Sequence, residues 1–277
     1  MAWGREAPVT LPHSAVVVSE QALLDRIQKD IPSPTPQPSG ADWTIYASKP
    51  LPKVAGELDF GSRTAAAASV TLIPSAPKDA CWTESLEHGW LFLLPGLEKH
   101  WLLAVGGSVQ DLLAQSRVIA KQIAEVHPGG ANFASHPRIA DPLCASSPLG
   151  ASGWFACGTA ALAFDPLCGD GVGNAAREAI LASAAVRAVL GGADASVILE
   201  HYRTRLIAGF ERHLKLCHEF YTTGRSGAWW DEQIEACDRG IAWCRSKLQA
   251  AGEFSYQLRG FSLEPIGRQA APNIENK

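Results

Sequence analysis

Between Cys157 and Ala179 the chain reads CGTAALAFDPLCGDGVGNAAREA. A short apolar strand, Trp154 to Cys157, leads in. Asp165-Pro166 follows, then glycines at 169, 171 and 173, then a strong helical run. Proline fixes φ and has no N–H to donate. Glycine reaches positive φ and lets backbone come close to a ligand. A helix beginning there presents unpaired N–H groups and a partial positive charge. Together these features suit an anionic or electron-rich ligand edge; the plainer alternative is a glycine-rich helix cap with no ligand. The formal dinucleotide pattern Gly171-x-Gly173-x-x-Ala176, with Asp194 downstream, is rejected. That fingerprint needs its glycines directly after a strand, and here the strand ends near Gly158 and Pro166 intervenes.

The rest of the chain frames this turn. Residues 14–31 predict a strand, SAVVV, and a helix capped by Ser19 with Leu23, Ile27 and Ile31 on its buried face. The stretch Pro32–Gly40 has proline at every second position and reads as a linker. From Asp42 to Gly106 the runs WTIYA, AASVTLI, GWLFLLP and WLLAV predict a mixed or antiparallel sheet of at least four strands. Ser108-x-x-Asp111 opens a helix, which Leu112, Ile119, Ile123 and Val126 carry on to about His127. A proline-bearing loop returns to the strand GWFACG, and helices follow over roughly 173–190, 195–221 and 228–250. Among 277 residues, 47% are hydrophobic and 19% charged, as in a globular chain with a sizeable core. The net charge of -4 argues against general nucleic-acid binding. Seven cysteines without a Cys-x-x-Cys or zinc spacing read as reduced thiols of a cytoplasmic protein. The start MAWGREAPV lacks the basic-then-apolar pattern of a signal peptide, and no apolar run has the length of a membrane span.

The segment GTAALAFDPLCGDGVGNAAREAILAS resembles the second flavin motif of FAD-dependent monooxygenases with the p-hydroxybenzoate hydroxylase fold, in the branch of tryptophan-halogenase-like and geranylgeranyl-reductase-like proteins. That motif is Gly-Asp-Ala-Ala, then Asp-Pro, then a glycine turn entering a helix. The resemblance implies FAD contacts at Gly158, Thr159, Asp165, Pro166, Gly169, Gly171, Val172, Gly173 and Asn174. By that resemblance the position of Thr159 would face the ribityl chain, Pro166 would lie beside the isoalloxazine, and the turn and helix start would face the flavin pyrimidine oxygens. AVVVSEQALLDRI is similar to a strand-to-helix segment of the FAD domain. CWTESLEHGWLFLLP with WLLAVGG resembles the sheet that carries substrate, and LDFGSRTAA loosely matches an Asp-x-x-Gly-Arg turn.

The implied fold is α/β (α+β). Its parts would be a residual strand-helix and linker at 1–40, a substrate sheet at 41–107, the flavin-motif part of the FAD domain at 108–194, and a helical region at 195–277. Two departures reduce the expected cofactor affinity. No Gly-x-Gly-x-x-Gly unit precedes SAVVV to hold the FAD pyrophosphate. Thr159 stands where the family has an acid, losing a charge-assisted bond worth roughly 1.5–3 kcal/mol. The resemblance therefore implies the C-terminal, larger part of an FAD-dependent monooxygenase-like oxidoreductase acting on an aromatic or apolar small molecule, with FAD binding weak or lost. Its alternatives are a non-enzymatic, partner-binding relic and a geranylgeranyl-reductase-like reductase. The halogenase signature Trp-x-Trp-x-Ile-Pro is absent, which favours oxygenation. The strands SAVVV and GWFACG are expected to lack sheet neighbours, with a complementing N-terminal segment or an oligomer as partner.

Other groups carry weaker signals. Glu84, Glu87 and His88 read as a polar turn between strands rather than acid–base machinery. Trp82, Trp90 and Trp101 could line an aromatic pocket or simply pack. His213 and His218, five apart beside Arg212 and Lys215, read as a solvated helix face rather than metal ligands. Cys237 and Cys244 share a packing face, and Trp229-Trp230 covers the sheet or a partner. No catalytic residue and no metal site is assigned, since in such flavoproteins the cofactor carries the chemistry.

Overall fold

The computed structural model of the chain describes residues 1–4, 7–12, 16–29, 42–94, 96, 99–148, 150–251 and 254–266. Its first elements are α1 (Glu20–Lys29), β1 (Trp43–Tyr46), β2 (Gly56–Asp59), β3 (Thr64–Leu72), β4 (Trp82–Leu86), β5 (Gly89–Leu94) and β6 (His100–Val105). After them come α2 (Val109–Gln115), β7 (Ile123–Val126), β8 (Ala131–Ala134), β9 (Arg138–Asp141), β10 (Cys144–Ser146), β11 (Gly153–Ala156) and β12 (Leu162–Ala163). The chain closes with α3 (Gly171–Leu190), α4 (Ala195–Thr223), α5 (Ala228–Ala251), β13 (Tyr256–Arg259) and β14 (Ser262–Pro265). The mixture of sheets and long helices is the α/β class expected from the sequence.

The largest sheet is antiparallel, in the order β4-β5-β6-β3-β7, with β8 on the other half of the long strand β3. Both faces are covered at β5, which explains why GWLFLL reads as a continuous apolar run instead of alternating. On one face Leu91, Leu93, Leu102 and Ala104 pack against Leu112 of α2 and Ile119. On the other, Ala65, Trp90 and Val105 pack against Cys217 and Tyr221 of α4 and Trp230 and Cys237 of α5. A second sheet, β1-β11-β10, pairs β1 and β11 in parallel. Its residues Phe155 and Ala156 meet Ala182 and Ala185 of α3 and Tyr202 of α4 in the main core. A third, β12-β9-β2, includes Leu162–Ala163 just before Asp165-Pro166, and β13-β14 is a hairpin. The 29-residue α4 joins the cores, with Tyr202 and Phe210 in one and Tyr221 in the other.

Several expectations are corrected. Val16–Val18 form no strand and are exposed. The helix after them exists, and Ser19 Oγ accepts from Ala22 N–H at 3.2 Å. It buries nothing, however: Leu23 is half-exposed and Ile27 is 46% exposed. Ser14, Ala15, Ile31 and the Pro32–Gly40 linker lie outside the described residues. The strand GWFACG has not lost its neighbours, because β11 is central, flanked by β1 and β10.

The helix expected over 108–127 ends at Gln115. Ser108 caps it as foreseen, accepting from Asp111 N–H at 3.1 Å. Beyond it, the buried carboxylate of Glu84 accepts the N–H groups of Arg117 at 2.8 Å, Val118 at 3.2 Å and Ile119 at 3.0 Å. Those N–H groups are satisfied by a side chain of β4, so the backbone leaves the helical ladder. Ile119 then reaches the same core as Leu112 without a helix. Glu84 is thus a structural acceptor inside a strand, not part of the turn, whereas Glu87 and His88 do form the exposed turn between β4 and β5.

Trp229 and Trp230 cover the sheet as expected: Trp230 is fully buried, and its Nε1–H donates to Leu86 O at 2.9 Å. Gly224, in the α4–α5 connection, sits against that ring. A Cβ there would lie 2.1 Å from Trp230 Cζ3, and the ring cannot retreat without giving up its bond to Leu86. Gly224→Ala is expected to destabilise the protein by about 1–3 kcal/mol through overpacking. Urea unfolding followed by tryptophan fluorescence measures this, and an unchanged midpoint would show that Trp230 is free to move.

Candidate functional site

β11 delivers the chain to Gly158, whose φ of +56° turns it into a short 3-10 segment, Gly158–Ala160. Thr159 is exposed and donates at 3.4 Å to Ala47 O. Its hydroxyl therefore stands at the surface beside the end of β1. The N–H of Gly158 donates to Glu178 Oε2 of α3 at 2.7 Å. Glu178 is only 7% exposed, and burial pushes its carboxyl up to about 7, against the opposing Gly158 bond.

After β12 the chain reaches Asp165, which is 2% exposed and points inward. Its Oδ1 accepts from Leu167 N–H at 2.8 Å, capping the 3-10 turn Pro166–Cys168. Its Oδ2 accepts from Tyr221 Oη–H at 2.7 Å and is ion-paired with Arg63. Its own N–H donates to His213 Nε2 at 2.8 Å. Arg63 is buried as well, donates to Gln233 Oε1 at 2.6 Å, and lies over the Tyr221 ring at 4.9 Å. Burial and the neighbouring Asp165 carboxylate raise Tyr221 well above the usual phenol range, so it remains a donor. The Asp165 carboxylate is thus taken up by three segments of the protein and holds the turn from behind.

The outer side of the turn is open. Gly169 closes the 3-10 segment with φ +64°, and Cβ atoms added at Gly169 or Gly171 would meet nothing within 4 Å. Val172 is 70% exposed, while Pro166, Gly173 and Asn174 are half-exposed. The N–H groups of Gly171, Val172 and Gly173 begin a 20-residue helix and have no carbonyl one turn earlier in that helix to bond. Asp170, at the N-cap, makes no capping bond and instead accepts from Arg177 Nη2 at 2.7 Å. Pro166, Gly169, Gly171, Val172, Gly173 and Asn174 form one turn and helix start with Asp165 on its inner side, Gly158 meets α3 at Ala175 and Glu178, and Thr159 lies apart beside Ala47. This arrangement can present backbone donors and a positive helix end to an electron-rich edge.

Residues missed by sequence reasoning are Glu178, Tyr221, Gln233 and His213. Arg63 lay in the LDFGSRTAA match, which was its only signal. His213 is not on a solvated face: it is buried against Asp165 and Cys217, whereas His218 is partly exposed near Asp238. Cys168, His213 and Cys217 place their donor atoms within 4.8 Å of one another. Trp90 is core, Trp82 is half-buried and Trp101 is 48% exposed, so the three do not line one pocket. Cys237 and Cys244 are both buried packing residues.

No protein-family model matches the chain, and no curated protein matches its sequence. Solved structures do match. CndH, a myxobacterial chondrochloren halogenase described as a variant of FAD-dependent halogenases, aligns over 75% of this chain and 55% of its own, with a TM-score of 0.59 and 14% identity. CmlS, a flavin-dependent halogenase, aligns over 71% of this chain and 40% of its own, with a TM-score of 0.55 and 17% identity. BrvH, a flavin-dependent halogenase from Brevundimonas sp. BAL3, aligns over 68% and 39%, with a TM-score of 0.52 and 16% identity. The chain has a fold like that of FAD-dependent halogenases, and it spans about half or less of their lengths. Among the described residues, no helix is long and apolar enough to cross a membrane.

Two expectations follow from the buried charges. Asp165→Asn keeps the shape but leaves the Arg63 guanidinium buried without a counter-charge, and should cost about 3–5 kcal/mol. Replacing the pair together, as Arg63→Met with Asp165→Leu, should cost less than the sum of the single changes; additive losses in chemical denaturation would mean that the pair is not coupled. Glu178 works in the opposite sense to a salt-bridged acid. Its carboxyl is raised from 4.5 to about 7, so the folded state binds the extra proton. Its favourable contribution is complete below 4.5 and is lost as pH rises through about 7. Wild-type stability should fall across that window by at most about 3 kcal/mol, whereas Glu178→Gln should show a flatter profile in pH-dependent unfolding.

Proposed function

We propose that the turn Pro166–Asn174 receives the isoalloxazine ring of FAD, and that the chain is a large part of a flavin-dependent oxidoreductase acting on a small aromatic or apolar substrate. The observation that carries this reading is the open outer face of the turn. Gly169 and Gly171, with free space around them, lead into a helix whose first N–H groups have no partner within it, in a fold like that of FAD-dependent halogenases.

The residues present fit the ring end of such a cofactor. Gly171, Val172 and Gly173 offer backbone donors to the pyrimidine edge, and the half-exposed Pro166 offers a rigid apolar surface beside it. Asp165 positions the turn from the inside through Leu167 N–H. The exposed Thr159 hydroxyl, at the position of the family's acid, is the available ribityl partner. When bound, the flavin supplies the electron transfer and oxygen chemistry. The six-stranded sheet is the substrate-bearing layer in this reading, and the reaction is oxygenation rather than halogenation.

Among the described residues no glycine-rich strand-to-helix unit offers a pyrophosphate cradle, so the ring contacts act alone and binding is weak. A Kd of about 1 mM corresponds to about -4 kcal/mol, a reasonable size for such contacts. Flavin fluorescence quenching should detect FAD binding of that order. Thr159→Asp should tighten it by up to about 3 kcal/mol, the worth of a charge-assisted bond. Gly171→Glu, which places a carboxylate at the helix start, should weaken it about tenfold. Identical titrations for the wild type and Gly171→Glu would remove the turn from the binding site.

A further inference from the structure

Cys168 and Cys217 come together from segments 49 residues apart, with their sulfurs 3.6 Å from each other. Cys168 ends the 3-10 turn Pro166–Cys168 and is half-exposed, while Cys217 lies on α4 and is fully buried. Cys217 Sγ is also 3.3 Å from His213 Nε2. The Asp165 N–H also points to that nitrogen, at 2.8 Å. The other titratable groups facing Cys168 are Asp165 of its own turn and Cys237 of α5. The hydrogen bond from Cys217, helped by His213, pushes the Cys168 thiol down to about 6 against the opposing effect of burial. Burial pushes the Cys217 thiol up. The two sulfurs are therefore unlike: Cys168 is the more acidic and the more reachable, Cys217 the less acidic and hidden.

We propose that Cys168 and Cys217 are a reversible dithiol–disulfide pair, with Cys168 the thiolate that reacts with a hydroperoxide and Cys217 the thiol that resolves it. In the first step the Cys168 sulfur attacks a peroxide oxygen and the O–O bond breaks. The alkoxide or hydroxide that leaves takes up a proton, and Cys168 becomes a sulfenic acid. In the second step the Cys217 sulfur attacks the Cys168 sulfur, the S–S bond forms, and the S–OH bond breaks. The departing oxygen takes up the proton that Cys217 gives up and leaves as water. Two thiols are oxidised by two electrons, and one hydroperoxide is reduced to an alcohol, or to water, with a second water released.

Closing from 3.6 Å to a disulfide bond of about 2.05 Å needs a modest shift. That shift falls on Cys168, which sits on a single short turn followed by Gly169, with open space around it. The bond would tie the glycine turn to α4. The inference does not depend on flavin binding.

The full chain, reduced and then treated with hydrogen peroxide, should lose two thiols and the mass of two hydrogen atoms, and dithiothreitol should restore both. Peptide mapping should find Cys168 joined to Cys217. Before oxidation, Cys168 should be alkylated at neutral pH at least about tenfold faster than the exposed Cys81, which serves as the internal reference. In Cys217→Ser the reaction should stop at a sulfenic acid that dimedone traps on Cys168. In Cys168→Ser, a change at a half-exposed position, no disulfide should form. A Cys217–Cys237 link, an alkylation rate no greater than that of Cys81, or stoichiometric zinc retained through gel filtration that protects both thiols from peroxide would each overturn the proposal.

Discussion

The ion pair between Arg63 and Asp165 is the contact on which the rest of this molecule is assembled. Its partners are 102 residues apart and both are buried. Removing two charges from water is costly, and attraction inside the protein offsets that cost only if the remaining donors and acceptors are also satisfied. Most of them are: Tyr221 and Leu167 N–H complete Asp165, and Gln233 bonds to Arg63. The pair therefore fixes in one place the turn before β3, the segment after β12, α4 and α5. A well-packed apolar substitute could match its stability. What the charges add is specificity, because any other register of these four segments would leave a buried charge alone.

This arrangement accounts for the shape of the candidate site. An acid beside a glycine turn could serve a ligand directly, but Asp165 faces the interior and its oxygens are occupied. The turn is held from within by one side chain, while its outer surface combines the open Gly169 and Gly171 with the exposed side chains of Asp170 and Val172. Asp165 is followed by a proline that sets φ, then by Gly169 at φ +64°, where a side chain would be strained. Rigidity on the inside and open space on the outside are what a site built from main-chain donors needs, since loose N–H groups would be ordered only at the ligand's expense.

Local patterns in the sequence made much of this legible. The strand, turn and helix around Gly158–Leu190, the antiparallel sheet, and the two long C-terminal helices all follow from periodicity, caps and breakers, and α3 begins two residues before Gly173. Contacts between distant segments could not be read. Apolar spacing from Leu112 to Val126 is formally helical, but Ser116 turns extended and the carboxylate of Glu84, some 33 residues before Arg117, takes up the N–H groups that follow. His213 shares its neighbourhood with charged residues, yet the face it occupies is set by Asp165 and Phe164. The helical pattern of α1 was real, but amphipathicity gives a helix a face to bury and not a surface to bury it against.

The electrostatic character of the turn follows from what cancels there. Asp170 would oppose an electron-rich ligand at the start of α3, but its carboxylate is paired with Arg177. Both groups are exposed, so the pair adds little stability; its effect is to draw the negative charge onto a neighbouring cation. Glu178, nearly two turns along, is held partly protonated near neutrality by its burial and bonds to Gly158 N–H in either state. With one acid paired and the other titrating, the field left at Gly171–Gly173 is chiefly that of the helix itself, positive at its N-terminus. In the proposed reading such a helix start would favour electron density at a ligand edge, and that preference would strengthen as Glu178 takes up its proton.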